Sequence, residues 1–171
     1  RHFPLLSENY ALTVRDILHL DSSNIQPEEW QLIARAVHDQ RAAYDGVVIT
    51  HGTDTMAYTA SVLSFMLRGI PIPVVLTGSQ LPIEHPLTDA LENLRIAFAM
   101  AASGTPGVFV AFDRKVILGC RAVKTRTKGF DAFESISAPY IGKIYADGVH
   151  LEHNQAGEEA AAPFELKNKL C

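Results

Sequence analysis

Three short stretches of this chain concentrate hydroxyls, carboxylates and small residues: Asp21-Ser22-Ser23, His51-Gly52-Thr53-Asp54-Thr55 and Thr77-Gly78-Ser79-Gln80. A fourth, Arg121 to Arg126, carries Lys124 next to Thr125. A lysine beside a carboxylate and a hydroxyl can hold a threonine or a water for proton transfer, so Thr53, Asp54 and Lys124 form a chemically sensible set if they meet. One such turn alone reads as a helix N-cap, where Ser, Thr and Asp belong. Three of them on one edge of a sheet would form a pocket for a small polar ligand. The stretch 121–126 alone reads as a solvated basic segment.

Other chemistries lack their signatures. There is no GxxxxGK[ST] phosphate loop, GxGxxG fingerprint or GxSxG elbow, and no HExxH or CxxC metal spacing. His150 and His153 read as surface residues, and Cys120 as a small buried thiol. No metal and no cofactor is expected.

The elements needed to position the turns are legible in the hydropathy pattern. Leu12 to Leu20 reads as a first strand, with Val14, Ile17 and Leu18 as its apolar content. A helix begins near Pro27, a residue suited to the first helical position, and Trp30, Ile33, Ala34 and Val37 recur at helical spacing. Val47-Val48-Ile49 is a short buried strand, followed by the HGTDT turn and a helix to about Leu67. Ile72 to Leu76 is a third strand, and the TGSQ turn leads to a helix from about Thr88 to Ala101. Its face is set by Leu91, Leu94, Phe98 and Ala101. Strands at Val108–Phe112 and Val116–Leu118 flank a turn at Asp113-Arg114. Repeated strand–turn–helix units imply an α/β fold, a three-layer sandwich with a mostly parallel sheet. Ligands of such sheets bind outside the carboxyl ends of the strands, where the polar turns fall.

Composition narrows the class. The 171 residues are 47% hydrophobic and 20% charged, a globular balance. Fifteen Lys and Arg against 19 Asp and Glu give a net charge of −4, which offers no basic surface for a nucleic-acid backbone. No apolar run reaches the ~18 residues of a membrane span. Two cysteines do not make a disulfide framework and lean toward a reducing compartment. Residues 1–150 read as one α/β domain. Residues 151–171, with Gly157 to Pro163 of linker composition, read as a linker and the start of a following domain.

Gly46-Val-Val-Ile-Thr-His-Gly-Thr-Asp-Thr-Met56 resembles the second active-site signature of the bacterial L-asparaginase/glutaminase family. The resemblance runs from Leu20 to about Ser135 and takes in Asp21-Ser-Ser-Asn24, Thr77-Gly-Ser-Gln80, Arg121-Ala-Val-Lys124 and Lys128-Gly-Phe-Asp-Ala-Phe133. Asp21 to Asn24 and Met56 to Ala60 are closer to the type I, cytoplasmic branch. The resemblance implies the Rossmann- or flavodoxin-like large N-terminal domain of that family and hydrolysis of L-asparagine to L-aspartate and ammonia by a threonine-based mechanism. It implies catalytic roles for Thr53, Asp54 and Lys124. Asp21, Ser22 and Ser23 would hold the substrate α-carboxylate, Asp54 also its α-ammonium, and Ser79 would line the pocket. It implies a homo-oligomer, dimer or tetramer. The alternatives are the amidase subunit of a glutamyl-tRNA(Gln) amidotransferase and a non-catalytic amino-acid-binding module. The family's primary nucleophile is a threonine in a TGGTI motif on its first strand, and no TGG occurs in this chain. The chain is therefore expected to be part of a longer product, inactive by itself, with a ladder edge and an apolar strip left uncovered.

Overall fold

The computed structural model describes residues 8–145 and 148–151. The proposed linker at 151–171 lies outside the described residues except for Leu151, and so does His153.

Helix α1 spans Pro27–Gln40, with Gln26 as N-cap, Pro27 at the first helical position and Glu29 returning to the Gln26 N–H at 2.6 Å. Strand β1 is Val47–Thr50, helix α2 Met56–Met66, strand β2 Pro73–Thr77 and helix α3 Ala90–Ala101. Strands β3 (Gly107–Phe112) and β4 (Lys115–Leu118) form a hairpin whose turn residues, Asp113 and Arg114, take φ of 47° and 60°. Positive φ at both positions matches the twist of the flanking strands. Strands β5 (Ala122–Lys124) and β6 (Phe133–Ser135) make a separate two-stranded ribbon, and β7 (Gly142–Tyr145) and β8 (Gly148–Leu151) complete the main sheet.

The main sheet runs β1-β2-β3-β4-β7-β8. Its β1-β2-β3 half, which carries the HGTDT and TGSQ turns, is parallel. Val47 pairs with Val74 and Val74 with Val108. The pairings from β3 onward are antiparallel. Alternation sorts side chains to two faces. Val74, Leu76, Val108, Val110 and Phe112 join the core under α1 and α2, whereas Val75, Phe109 and Ala111 join the core under α3. Both faces are covered, so β2 and β3 are nearly continuous apolar runs, and the result is the expected three-layer sandwich. Phe133 on the ribbon meets Phe112 edge-on at 4.9 Å between centroids, which fastens β5–β6 to the first core.

Two expectations change. Leu12 to Leu20 forms no strand. Its alternation is poor, Arg15 and Asp16 interrupt it, and Val14 is 89% exposed, so it gains too little by lying against the sheet. β1 is instead the last strand on its side of the described sheet, and a cavity of about 820 Å³ lies against it, lined among others by Leu18, Ile25, Val37, Ile49 and Phe98. The buried face of α3 is also rotated. Ala90, Asn93, Ile96, Ala97, Met100 and Ala101 are buried, while Leu91, Leu94 and Phe98 are half-buried. Small alanines let the helix approach the sheet. Phe98 stacks on Tyr10 at 5.6 Å and, with Leu94, borders the cavity. Cys120 is half-buried in a 3-10 turn at Gly119–Arg121.

Candidate active site

The HGTDT stretch leaves β1 one residue late. His51 N–H still donates to the Thr77 carbonyl at 2.8 Å, extending the parallel ladder, and the chain then turns at Gly52. A Cβ on Gly52 would lie 2.6 Å from Ser22 Oγ, and one on Gly78 would lie 2.3 Å from the His51 carbonyl oxygen. Glycine is required at both positions because backbone approaches backbone or a buried serine there. These contacts press the first and third turns against the second. A hydrogen bond from the Thr55 hydroxyl to the Ser22 carbonyl, 2.7 Å, ties the first two turns together.

Lys124 arrives from β5, seventy residues further along, and the pairing of Lys124 with Phe133 fixes its backbone. Its ammonium donates to Thr53 Oγ1 at 2.9 Å and to Asp54 Oδ1 at 2.7 Å. Lys124 is 13% exposed and Asp54 67%, so the cation is mostly enclosed while its carboxylate partner faces solvent. Thr53 accepts from Lys124 and donates to Gln80 Oε1 at 3.1 Å. The Gln80 amide is oriented from its other end, since Nε2 donates to the carbonyls of Thr127 and Gly129 at 3.2 and 2.9 Å.

The remaining expected site residues behave differently from one another. Asp21 caps the 3-10 turn Ser22–Asn24, accepting from Ser23 N–H at 2.9 Å and Ser23 Oγ at 2.8 Å. The Ser23 amide and hydroxyl hold the Asp21 carboxyl below its usual range. Ser22 is buried behind Gly52, and Ser79 Oγ donates to the Leu81 carbonyl at 2.7 Å. Thr53, Asp54 and Lys124 are thus in mutual contact. Asp21 and Ser22 lie beside them on the neighbouring turn, and Ser79 braces its own loop.

Sequence reading gave no role to four other residues. Gln80 closes the hydrogen-bond chain on Thr53. Asp89 accepts from the amides of Gln80 and Leu81 at 3.0 and 3.2 Å, and Asn93 donates to the Gly78 carbonyl at 3.0 Å while accepting from Asp113 N–H at 2.9 Å. Asn93 is buried, the single polar residue on the buried face of α3. The fourth, Thr59, lies one turn into α2 behind His51.

Both the sequence and the fold have relatives among known proteins. The sequence model of the family described as "Asparaginase, N-terminal" matches residues 1–157. The chain belongs to that family. It is 54% identical over 142 residues to the L-asparaginase of Thermococcus kodakarensis, covering 83% of this chain and 43% of that protein. To L-asparaginase 1 of Escherichia coli it is 43% identical over 133 residues, covering 77% of this chain and 38% of the relative. The structure of the thermostable L-asparaginase from Thermococcus kodakarensis superposes with a TM-score of 0.80 at 50% identity, over 91% of this chain and 45% of that one. The chain therefore spans less than half the length of the asparaginases it matches.

Proposed function

We propose that this chain carries part of the active site of an amidohydrolase that converts L-asparagine and water to L-aspartate and ammonia. What supports the reading is the enclosed Lys124 ammonium shared between Thr53 and Asp54, delivered across seventy residues to the same sheet edge as two further polar turns. In this reading a threonine hydroxyl attacks the side-chain amide carbon, its proton ends on the amide nitrogen, and the C–N bond breaks to release ammonia. Water then cleaves the acyl-threonine ester. Thr53 and Lys124 handle that proton, and Lys124 on one side and Gln80 on the other fix the Thr53 hydroxyl on its path. The exposed Asp54 carboxylate holds the substrate α-ammonium. The turn Asp21-Ser22-Ser23 holds the α-carboxylate. With the Ser23 hydroxyl committed to Asp21, Asp21 acts by shaping that turn. Ser79 lines the pocket. The likeness of Asp21 to Asn24 and Met56 to Ala60 to the type I branch supports a cytoplasmic homo-oligomer.

Ammonia release from L-asparagine by the full-length protein is the test, with Lys124→Met beside it. The variant is expected to lose about 10² to 10⁴ in kcat, the usual worth of a positioned proton-transfer group. Unchanged kinetics in Lys124→Met would overturn the assignment. Ammonia transferred to an acyl acceptor instead of released would point to the amidotransferase reading. L-aspartate binding without turnover would point to a binding module.

A further inference from the structure

Behind the site lies a second hydrogen-bonded hydroxyl that the reaction as drawn does not use. Thr59 is 0% exposed, and its Oγ1 meets two rings, the Trp30 indole Nε1 from α1 at 2.9 Å and His51 Nε2 at 2.9 Å. The other imidazole nitrogen, His51 Nδ1, lies 2.7 Å from the Gly52 carbonyl oxygen.

For a neutral imidazole the donor inventory allows one arrangement. Indole N–H only donates and a carbonyl only accepts. His51 Nδ1 therefore carries a proton for the Gly52 carbonyl. In the neutral ring, Nε2 is then an acceptor, and the single Thr59 proton goes to it. Thr59 in turn accepts from Trp30. Every proton is used once and the chain has one direction: Trp30 to Thr59 to His51 to the Gly52 carbonyl. Burial disfavours the imidazolium and lowers the His51 pKa, although its bond to Gly52 works the other way. The neutral ring that the network needs is therefore the favoured one. The carbonyl at the end of the chain belongs to the peptide bond whose nitrogen is that of Thr53.

We propose that Thr59, with Trp30 behind it, is a positioning residue. It fixes His51 as the Nδ1–H tautomer and so holds the Gly52–Thr53 peptide at the angle that keeps Thr53 Oγ1 between Lys124 and Gln80. The inference rests on Thr53 being the proton-handling residue, and it identifies the anchor of that residue in the protein interior. An anchor is useful there because misplacing a reacting group by about 1 Å can cost as much as ~10²-fold in rate.

Two readouts on the full-length protein test it, one of them independent of turnover. Imidazole 15N spectra should show His51 protonated at Nδ1 and bare at Nε2. The Thr53 backbone amide resonance should move in Thr59→Val and return in Thr59→Ser. Against L-asparagine, Thr59→Val is expected to lower kcat about tenfold with KM little changed, Thr59→Ser to restore it to within about threefold, and Trp30→Phe to lower it about threefold. A proton on Nε2, an unmoved Thr53 amide, or a serine variant as impaired as the valine variant would overturn the proposal. If Thr59→Val does not fold, Trp30→Phe and Thr59→Ser decide it: wild-type kcat and an unshifted Thr53 amide in Trp30→Phe would overturn it. Wild-type protein that releases no ammonia would break the amidohydrolase reading, while the tautomer and the Thr53 resonance would still judge this one.

Discussion

Two lysine–carboxylate–hydroxyl groups stand along the carboxyl edge of the parallel strands, and their hydroxyls donate to different kinds of acceptor. In the first, Thr53 accepts from Lys124 and donates onward to a neutral amide, leaving Asp54 67% exposed. In the second, beside the β3–β4 turn, the Tyr140 hydroxyl donates straight into Glu134, which also takes Lys115 at 3.4 Å and Arg126 at 3.5 Å. Lys115 further reaches Asp113 at 3.5 Å and lies 5.5 Å from the Tyr140 ring centroid. The second group is closed on itself. Its tyrosine is pushed up chiefly by donating to Glu134, and Glu134 is pulled down chiefly by that same bond. For Lys115, burial works downward, but Glu134, Tyr140 and Asp113 outweigh it and the pKa rises. A set in which every charge is neutralised by its neighbours joins β4, β6 and the chain at Tyr140, and keeps nothing for a ligand. The first set leaves a carboxylate facing solvent and a hydroxyl between donor and acceptor. Residue types alone do not distinguish the two; the free valence does.

The largest expected difference is kinetic. In the full-length protein Lys124→Met should reduce kcat by about 10² or more, whereas Lys115→Met should stay within a few-fold of wild type. Equal losses in ammonia release would dissolve the distinction. Next comes substrate binding. Asp54→Asn should raise the KM for L-asparagine by roughly 10- to 100-fold, since a hydrogen bond to a charged group is worth about 1.5–3 kcal/mol, while Glu134→Gln leaves KM unchanged. A KM shift in Glu134→Gln would mean that the second cluster also faces substrate.

The third comparison concerns packing. The first site is built on backbone contacts too close for a Cβ, so Gly78→Ala should destabilise by about 1–3 kcal/mol in denaturant titrations, as overpacking does. Gly104, where a Cβ meets nothing within 4 Å but φ is +72°, should feel an alanine through backbone strain alone, about 1 kcal/mol. Equal costs would show that the turn has room to yield.

The smallest effect is the pH dependence of the second cluster. Glu134 is a carboxylate held below its ordinary 4.5, so its contribution is present above that value and lost as pH falls through the folded one. Partial exposure keeps that contribution at or below about 1 kcal/mol. Melting temperatures of wild type and Glu134→Gln should therefore differ by a few degrees near neutrality and converge below pH 4.5. A gap that stayed constant on acidification would mean that the cluster is held by packing and not by charge.

Much of this is legible in the sequence. Helix α1, with Pro27 at its start and Ile33, Ala34 and Val37 buried, follows from local chemistry, as do β1, β2 and the hairpin around Asp113-Arg114. Sequence also placed the HGTDT and TGSQ turns on one edge, because they follow the parallel strands β1 and β2, whereas Asp21-Ser22-Ser23 reaches that edge without the strand expected before it. The stretch Leu12 to Leu20 was misread because apolar content without alternation or a partner does not make a strand. The α3 face was misread because helical spacing identifies a stripe but does not say whether the leucines or the alanines meet the sheet. Close helix–sheet approach favoured the alanines.

Sequence by itself determined the residue types at the turns, the family to which they belong and the order in which strands and helices follow. Tertiary structure alone decided which partner each of those residues has. Lys124 and Thr53 are separated by 71 residues, and Thr59 and Trp30 by 29, so no local propensity could join them. Their meeting depends on how the β5–β6 ribbon docks through Phe133 and how α1 lies on α2. Those are packing solutions of the whole core. Hydrogen-bond direction follows from that packing, because a buried donor takes whatever acceptor the fold has left beside it.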